Sequence, residues 1–521
     1  MTCIQVILPL KLEWLPCYYS AVKPEVGQIV SVSFAGREYL GVVYRDDVTP
    51  DVAADRIQEL IRIEEALPKI SSNELKLWEF ISSYYLCSLG EVFKAAYPSG
   101  KMRSEQTGVS ILERLKERLQ RTEEKLGGRH GERVRMRLEA EKEEILRQIS
   151  LLEKQADRAS AAVQPGKPVL LEGTQRRDIY IHRIREALGN GRQVLVMCPE
   201  TSFCQSMYKE MEEAFPGNAY LVHAEQTAAR KRTAAESLRR GDAVVVVGAR
   251  SAIFLPFSNL GLIIIDNEQD VSYKQSEPAP RYNGRDCALF LAGLHSAQVM
   301  LGSSRPSLES LHNGMCGKFT IEHVPGIGRE PEIIDISAEK RKNGMVGTLS
   351  RKALASISAH GGQVVLLRGW EKEDEVREAA AALLDGREVS ICRLSELKRT
   401  GCPEDAVIVV LQADALVSRE DFRSDERALQ LVALLQQMCS KLIIQTAVPQ
   451  RFDPLKDASA LLEERKAFGF PPFKRLIDKR RRGSNEVLER HFLDRNQELS
   501  SRKAQLVRTL EPYCYLDVDP L

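Results

Sequence analysis

None of the 11 cysteines forms a CxxC pair, and only 3 tryptophans occur in 521 residues. Structural zinc sites draw two ligands from one tight turn, so scattered thiols such as Cys198, Cys204, Cys402 and Cys439 argue against any zinc. Cysteine this sparse in a long chain also argues against a disulfide framework, and reduced cytoplasmic thiols are expected. Apolar runs such as 244–247 and 262–265 fall far short of the roughly 18–20 residues of a membrane span. The first residues, MTCIQVILPLKLEW, lack a basic start, a long apolar stretch and a small-residue cleavage site, so no signal peptide is expected. An excess of one charge is missing too. Lys plus Arg is 74 against 73 Asp plus Glu, a net +1, so any nucleic-acid contact must come from local basic surfaces. His182, His223 and His312 lie in separate segments with no nucleophile beside them, and the sequence lacks internal repeats and low-complexity tracts.

Hydrophobic residues make up 43% of the chain and charged ones 28%, enough for several buried cores. At roughly 150 residues per domain the length implies three or four of them. Residues 1–104 read as a small β-rich domain. Strands over 27–34 and 38–44 flank a turn set by Gly36, and a helix over 74–85 is capped by Ser71 or Ser72. Residues 105–163 change to Glu, Arg, Lys and Leu. Leu112, Leu115, Leu119, Thr122 and Leu126 form a 3-4 seam, Gly127, Gly128 and Gly131 break it, and a second run carries Leu138, Ile145, Ile149 and Leu152. This is an αα-hairpin, to be read as a spacer arm or as a docking or dimerisation surface.

Residues 164–330 alternate helices with unbroken apolar strands at 168–171, 194–197, 243–247, 262–265 and 299–301, as parallel strands buried on both faces require. The ligand site of such a doubly wound sheet lies at the C-terminal strand ends. Residues 331–450 repeat the rhythm, with strands at 364–367, 389–391, 407–411 and 442–445 and a helix over 426–438. Residues 451–521 form a C-terminal α/β domain with a basic run, Lys479 to Arg482, read as a solvated turn or a phosphate contact. The fold class expected is α/β: two RecA-like doubly wound lobes preceded by a β-rich domain and a helical hairpin.

Two loops bear on chemistry. After strand 169–171 comes EGTQRRD, with the single glycine Gly173, no GK[ST], and Glu172 where anions should bind. Arg176 and Arg177 remain as possible phosphate contacts. After 262–265 come Asp266, Asn267, Glu268 and Gln269. Asp at a strand end is the usual metal-holding position and also an ordinary helix cap, and Asn267 cannot take a proton.

The chain resembles the bacterial primosomal protein N′ family, superfamily 2 helicases that restart stalled replication forks. The similarity rests on YYLCSLGEVFKAAYPS at 84–99, GARSAIFLP at 248–256, NLGLIIIDNEQDVSYKQ at 259–275, PRYNGRD at 280–286 and GSSRPSLES at 302–310. It continues in ADAL at 413–416, DFR at 421–423, ER at 426–427, RKAFGFPPF at 465–473 and LDVDP at 516–520. The departures fall on ATP chemistry. The family's phosphate loop is shortened and has no Lys, its DEEH box reads DNEQ, its SAT motif reads Ser303-Ser304-Arg305, and its zinc region and paired arginines are missing. The resemblance therefore leaves Gly173, Asp266 and Glu268 as vestigial ATP-site positions, with no cofactor expected unless the degenerate site still binds ATP and Mg.

The same resemblance implies a pocket for a DNA 3′ end in residues 1–104. Tyr19, Gly36 and Arg37 fall on its positions, while Cys17 and Gln58 replace residue types usual there; ordinary packing is the other reading of Tyr18 and Tyr19. It also aligns 272–282 with an aromatic-rich loop, so Tyr273, Lys274, Arg281 and Tyr282 are expected to stack on bases and contact phosphates of single strands. The function implied is a cytoplasmic DNA-binding restart factor without helicase activity, acting on forked or single-stranded DNA. The partners implied are single-stranded-DNA-binding protein and the replicative helicase or its loader. A residual ATP-dependent 3′-5′ helicase, or a DNA-independent scaffold working through the hairpin, are the alternatives.

Overall fold

The computed structural model describes residues 1–50, 53, 56–98, 111–127, 132–158, 166–326, 329–383, 386–417, 422–496 and 499–520. The domain boundaries expected near 104 and 163, the break at 128–131 and Asp421 lie outside them.

The chain opens with β1 (Thr2–Ile7), β2 (Cys17–Ser20), β3 (Ile29–Phe34), β4 (Arg37–Arg45) and β5 (Arg62–Ile63), paired antiparallel in the order β2-β1-β4-β3-β5. Alternate residues point inward, so Ile4, Val6, Leu8, Tyr18, Val30, Val32 and Val43 form one buried cluster. Ala35 and Gly36 join β3 to β4 with φ of 49° and 74°. Two positive φ values in a two-residue loop define the hairpin turn whose twist matches that of its strands. Residues 58–64 then close the sheet. The Tyr19 N–H donates to Gln58 O and the Leu60 N–H to Tyr19 O, both at 2.9 Å. On the other side the Ile61 N–H donates to Ser31 O and the Glu64 N–H to Ile29 O, also at 2.9 Å. The sheet is thereby a small closed barrel.

Helix α1 (Ser72–Tyr85) starts at Ser71, whose side chain accepts from the Glu74 N–H while Glu74 accepts from the Ser71 N–H. Helix α2 (Leu89–Ala96) is capped the same way by Ser88 and Glu91, and Trp78 stacks on Phe93 at 5.5 Å. Helices α3 (Ile111–Leu126) and α4 (Glu132–Arg158) pack as the expected hairpin. Thr122, Ile145 and Ile149 are buried, and Arg118–Glu141 and Glu123–Lys142 ion pairs at 2.6 and 2.7 Å tie the two together.

Next come β6 (Val169–Glu172), α5 (Arg177–Gly189), β7 (Gln193–Met197), β8 (Ala219–Val222), β9 (Val245–Gly248), β10 (Leu260–Asp266), β11 (Gln298–Ser303) and β12 (Thr320–His323). They form a seven-stranded parallel sheet in the order β12-β6-β11-β10-β7-β9-β8. A second parallel sheet orders Glu332–Asp335, Lys441–Thr446, Val407–Val410, Val364–Leu367 and Val389–Cys392. The chain ends in a three-stranded antiparallel sheet in which Lys474–Arg481 lies between Val487–Asp494 and Cys514–Val518. The α/β architecture with two parallel lobes behind a β domain is thus as expected.

Three edge strands were not expected: β12 and Glu332–Asp335 are short, partly exposed and bounded or interrupted by polar residues, while β8, AYLV, is an apolar run of only four that periodicity does not separate from a helix segment. The basic run is corrected in part: Lys479, Arg480 and Arg481 end a strand, whereas Arg481 and Arg482 are exposed and Arg482 begins the turn. Lys479 pairs with Glu489 and Glu511, Arg480 with Asp478, and Arg481 with Glu486, while Arg482 continues to the Cys514 carbonyl. Glu489 comes from the neighbouring strand, Glu511 from the loop before the last strand, Asp478 from the same strand and Glu486 from the hairpin turn, so only the partners of Lys479 are hidden from linear sequence.

At Ala35 a Cβ sits in the left-handed region, which costs an L-residue about 1–2 kcal/mol, partly offset by the entropy of a glycine. Ala35→Gly is expected to stabilise the barrel by about 0.5–1 kcal/mol. The measurement is the urea midpoint followed by tryptophan emission in a Trp370→Phe background, where both remaining indoles lie within 1–98. A lower midpoint would contradict this turn.

Candidate functional site

The C-terminal ends of β6, β10 and β11 meet at the cleft where such sheets bind ligands. The loop after β6 has its backbone donors directed into the protein. The Gly173 N–H donates to Ser303 O at 2.9 Å, those of Thr174 and Gln175 to Pro325 O at 3.1 and 3.2 Å, and that of Arg176 to Thr174 O at 3.0 Å. Gly173 has a φ of 137°, and any side-chain carbon there would run into the Val324 carbonyl. The segment following β12 therefore lies across the loop, where a phosphate cradle needs open N–H groups.

Arg176 caps α5 and turns inward. Its Nη2 donates to Asp266 Oδ1 at 2.9 Å and to Asn267 Oδ1 at 3.4 Å, its Nε to Tyr180 Oη at 3.2 Å, and its Nη1 to the Gly173 carbonyl. Tyr180, one turn further along α5, donates its hydroxyl to the same Asp266 oxygen at 3.0 Å. Arg177 reaches the other oxygen at 3.4 Å. The Arg176 and Asp266 side chains are 5% and 2% exposed. Gly302 on β11 leaves room for this cluster, since a Cβ there would strike Tyr180 Oη. Burial pushes the Asp266 carboxyl up, but Arg177 and Arg176, with the bonds from Arg176 and Tyr180, outweigh it and hold the group below the ordinary range.

Glu268 is spent as well. It accepts from the Ser307 N–H at 2.6 Å, Ser307 Oγ at 3.0 Å, Ser310 Oγ at 2.9 Å and Arg285 at 2.8 Å. Gln269 accepts from Ser303 Oγ at 2.6 Å. A nucleotide with its metal ion requires open N–H donors at 173–176 and a free Asp266, and the residues present do not fit it.

The second lobe is clamped onto this cleft. The Leu308 N–H donates to Glu426 at 2.9 Å, Arg465 pairs with Glu426 and Glu309, and Arg423 with Glu309. Lys398 bonds Asp270 at 2.9 Å, and Gln437 donates to Ser304 Oγ at 2.8 Å. Burial pushes Glu309 up, but Arg423, Arg465 and Arg285 hold it low, whereas burial and then Glu309 itself push Glu426 up.

The loop expected to bear exposed aromatics is corrected. Tyr273 is buried, with its hydroxyl on the Met197 and Asp266 carbonyls at 2.9 and 2.7 Å. The Lys274 ammonium is buried against Asp517 at 2.9 Å, Val518 O at 2.7 Å and Arg281 O at 2.6 Å. Tyr282 is buried edge-on to Phe254, and Arg281 lies 3.6 Å over the Tyr515 ring with Glu277 as its ion partner. The reason is that this loop is the seam among the first lobe, α1 and the last strand, so its rings and cations are spent internally.

The barrel positions differ. Tyr19 is half-buried on β2 beside Gln58 and Glu59, and Gly36 and Arg37 are exposed at the β3–β4 turn. Glu59 bridges Tyr19 on β2, the Ile61 N–H bonds Ser31 O on β3, and the Tyr18 hydroxyl donates to Ser33 O at 3.0 Å, next to Phe34, which pairs with Arg37. Barrel closure thereby gathers Tyr19, Gln58 and the turn at one end. Trp14, exposed beside Phe34, escaped sequence reading, since a lone tryptophan in a loop has no spacing signal.

Residues 5–98 match the family model of a 3′DNA-binding domain, and residues 179–307 that of the DEAD/DEAH box helicases. A helicase-like chain carrying its own DNA-binding domain is the class these features define. The replication restart protein PriA of Rickettsia conorii is 31% identical over 66% of this chain and 49% of its own length. That of Haemophilus influenzae is 35% identical over 37% of this chain and 27% of its own. The structure of RecG bound to three-way DNA junction covers 76% of this chain and 50% of that one, with 14% identity and a TM-score of 0.34, a likeness too low to argue from. The chain is PriA-like, and it spans about half the length of the Rickettsia relative that it matches.

Removing one partner of a buried pair strands the other charge, at a cost of about 3–5 kcal/mol. Arg177 retains part of the pairing, so Arg176→Met is expected to lower stability by about 2–3 kcal/mol, and Arg176→Met/Asp266→Asn to recover much of it. Urea unfolding of the four corners of this cycle measures it; additive losses would contradict a direct pair. Because the folded Asp266 pKa lies below the unfolded value of about 4, the pairing contributes fully above that value. It is lost as pH falls through the folded pKa, so Asp266→Asn should flatten the acid limb of stability.

Proposed function

We propose that the protein is a DNA-binding replication-restart factor that recognises stalled forks through its barrel and does not use ATP to unwind them. The observation carrying the second part is the Arg176 guanidinium seated on Asp266 beneath a loop whose donors are already bonded. The first part is supported by the match of residues 5–98 to a 3′DNA-binding domain and by Tyr19, Gly36 and Arg37 sharing one barrel end. Here the two lobes serve as a fixed platform, held together by the Glu309, Glu426 and Arg465 cluster. No ATP, Mg or zinc enters the reading. Forked or single-stranded DNA is the ligand, and single-stranded-DNA-binding protein and the replicative helicase or its loader are the partners, in the cytoplasm.

The test is fluorescence anisotropy on a model fork with a free 3′-OH leading strand, against the same fork with that end phosphorylated, at one fixed salt concentration. Tighter binding to the free end is expected. Equal binding would reduce the protein to a generic DNA scaffold, and absence of binding to both would turn attention to the α3–α4 hairpin. A parallel thermal scan with ATP and Mg should leave the melting temperature unchanged; an upward shift would restore a working nucleotide site.

A further inference from the structure

The barrel end carries an unused aromatic. Trp14 is 59% exposed, with its indole centroid 6.2 Å from the Phe34 ring and the planes at 53°. Its segment is fixed on both sides: the Leu10 N–H donates to Leu8 O at 2.7 Å, that of Leu12 to Leu10 O at 3.0 Å, and that of Val6 to Pro16 O at 3.0 Å. A large ring is thus held in water by a bonded backbone, with one edge on Phe34. Phe34 pairs in register with Arg37 across the turn. Arg37 is exposed, and its side chain has no partner among the described residues.

The surrounding charges define what fits. Glu38 and Glu64 are both taken by Arg62, at 3.1 and 2.6 Å. Glu13 and Glu59 are exposed at the same end. Two such carboxylates repel a run of phosphates, so this end suits one nucleotide held by its base better than a strand tracked along its backbone. A base stacks on an aromatic face whatever its identity, and a lone guanidinium is matched to one phosphate.

From this we infer that Trp14 is a base-stacking residue of the DNA 3′-end site. The terminal base lies on the indole face, and Arg37 takes the phosphate preceding it. The inference rests on the fork-end reading above and adds to it the group that holds the base.

The experiment uses the full chain carrying Trp370→Phe, so that emission comes from Trp14 and from Trp78, which is buried. Titration with the 3′-OH fork is expected to quench the exposed component. Trp14→Ala should weaken anisotropy-measured affinity about 10-fold, with Trp14→Phe keeping most of it. Trp14→Ala should leave the salt dependence unaltered, whereas Arg37→Ala should reduce its log–log slope by about 1. Trp78 emission reports that each variant is folded. Retained preference for the free 3′ end with no quenching and full affinity in Trp14→Ala would overturn the inference and leave the fork reading intact. A parent chain that binds neither fork would remove that reading and this inference together.

Discussion

The pairing of Arg176 with Asp266 organises the cleft of the first lobe. A carboxylate at the end of a buried strand has to be neutralised, because an isolated charge there is costly by several kcal/mol. A bound metal ion is one solution, and a guanidinium from the protein is another. Here the second is built in: Arg176 bonds Asp266, Asn267, Tyr180 and the Gly173 carbonyl at once, and Arg177 takes the remaining oxygen. The solution is internal to the protein. Its geometry also fixes the neighbourhood, requiring Gly302 opposite Tyr180 and holding the loop at 173–176 under the segment that follows β12.

The same logic runs through the rest of the cleft. Glu268 has four donors, Gln269 holds Ser303, and Arg465 bridges Glu309 and Glu426 while Arg423 pairs with Glu309. Each of these contacts joins elements far apart in sequence. The contacts of Leu308 with Glu426, Arg423 with Glu309, Lys398 with Asp270 and Gln437 with Ser304 join the two lobes. The loop at 272–282 extends the bonding to α1 and the last strand, where Lys274 meets Asp517 and Val518.

What could be read in the sequence followed from local patterns. Unbroken apolar runs located the central strands, and the Ser71–Glu74 spacing located a helix start, because both signals lie within a few residues. Edge strand β12, TIEH, has no such run, and β8, AYLV, has one too short to be told from a helix segment by periodicity alone. The larger misreadings share one cause. Tyr273, Lys274 and Tyr282 are residues that suit single-stranded DNA, and Lys479 to Arg482 suit phosphates, but composition does not say where the partner lies. Asp517, Val518, Glu489 and Glu511, which satisfy the two lysines, are brought near by tertiary packing alone. Arg176 was legible as a cation near a phosphate loop, yet its rotation toward Asp266 depends on a strand 90 positions away.

Bonding capacity left over is therefore the better guide to function in this chain than residue type. In the cleft nearly every polar side chain named above has its partners inside the protein. At the barrel end the balance is reversed. Arg37 is unpartnered among the described residues, Trp14 keeps its indole in solvent, and the turn at 35–36 projects with no neighbour within 4 Å of a Cβ built on Gly36. Folding alone does not require an exposed indole on a bonded backbone. Chemistry that would be neutral elsewhere on a surface acquires meaning there, because closure of the barrel by residues 58–64 brings Tyr19 to the same end and gives the exposed groups a fixed geometry.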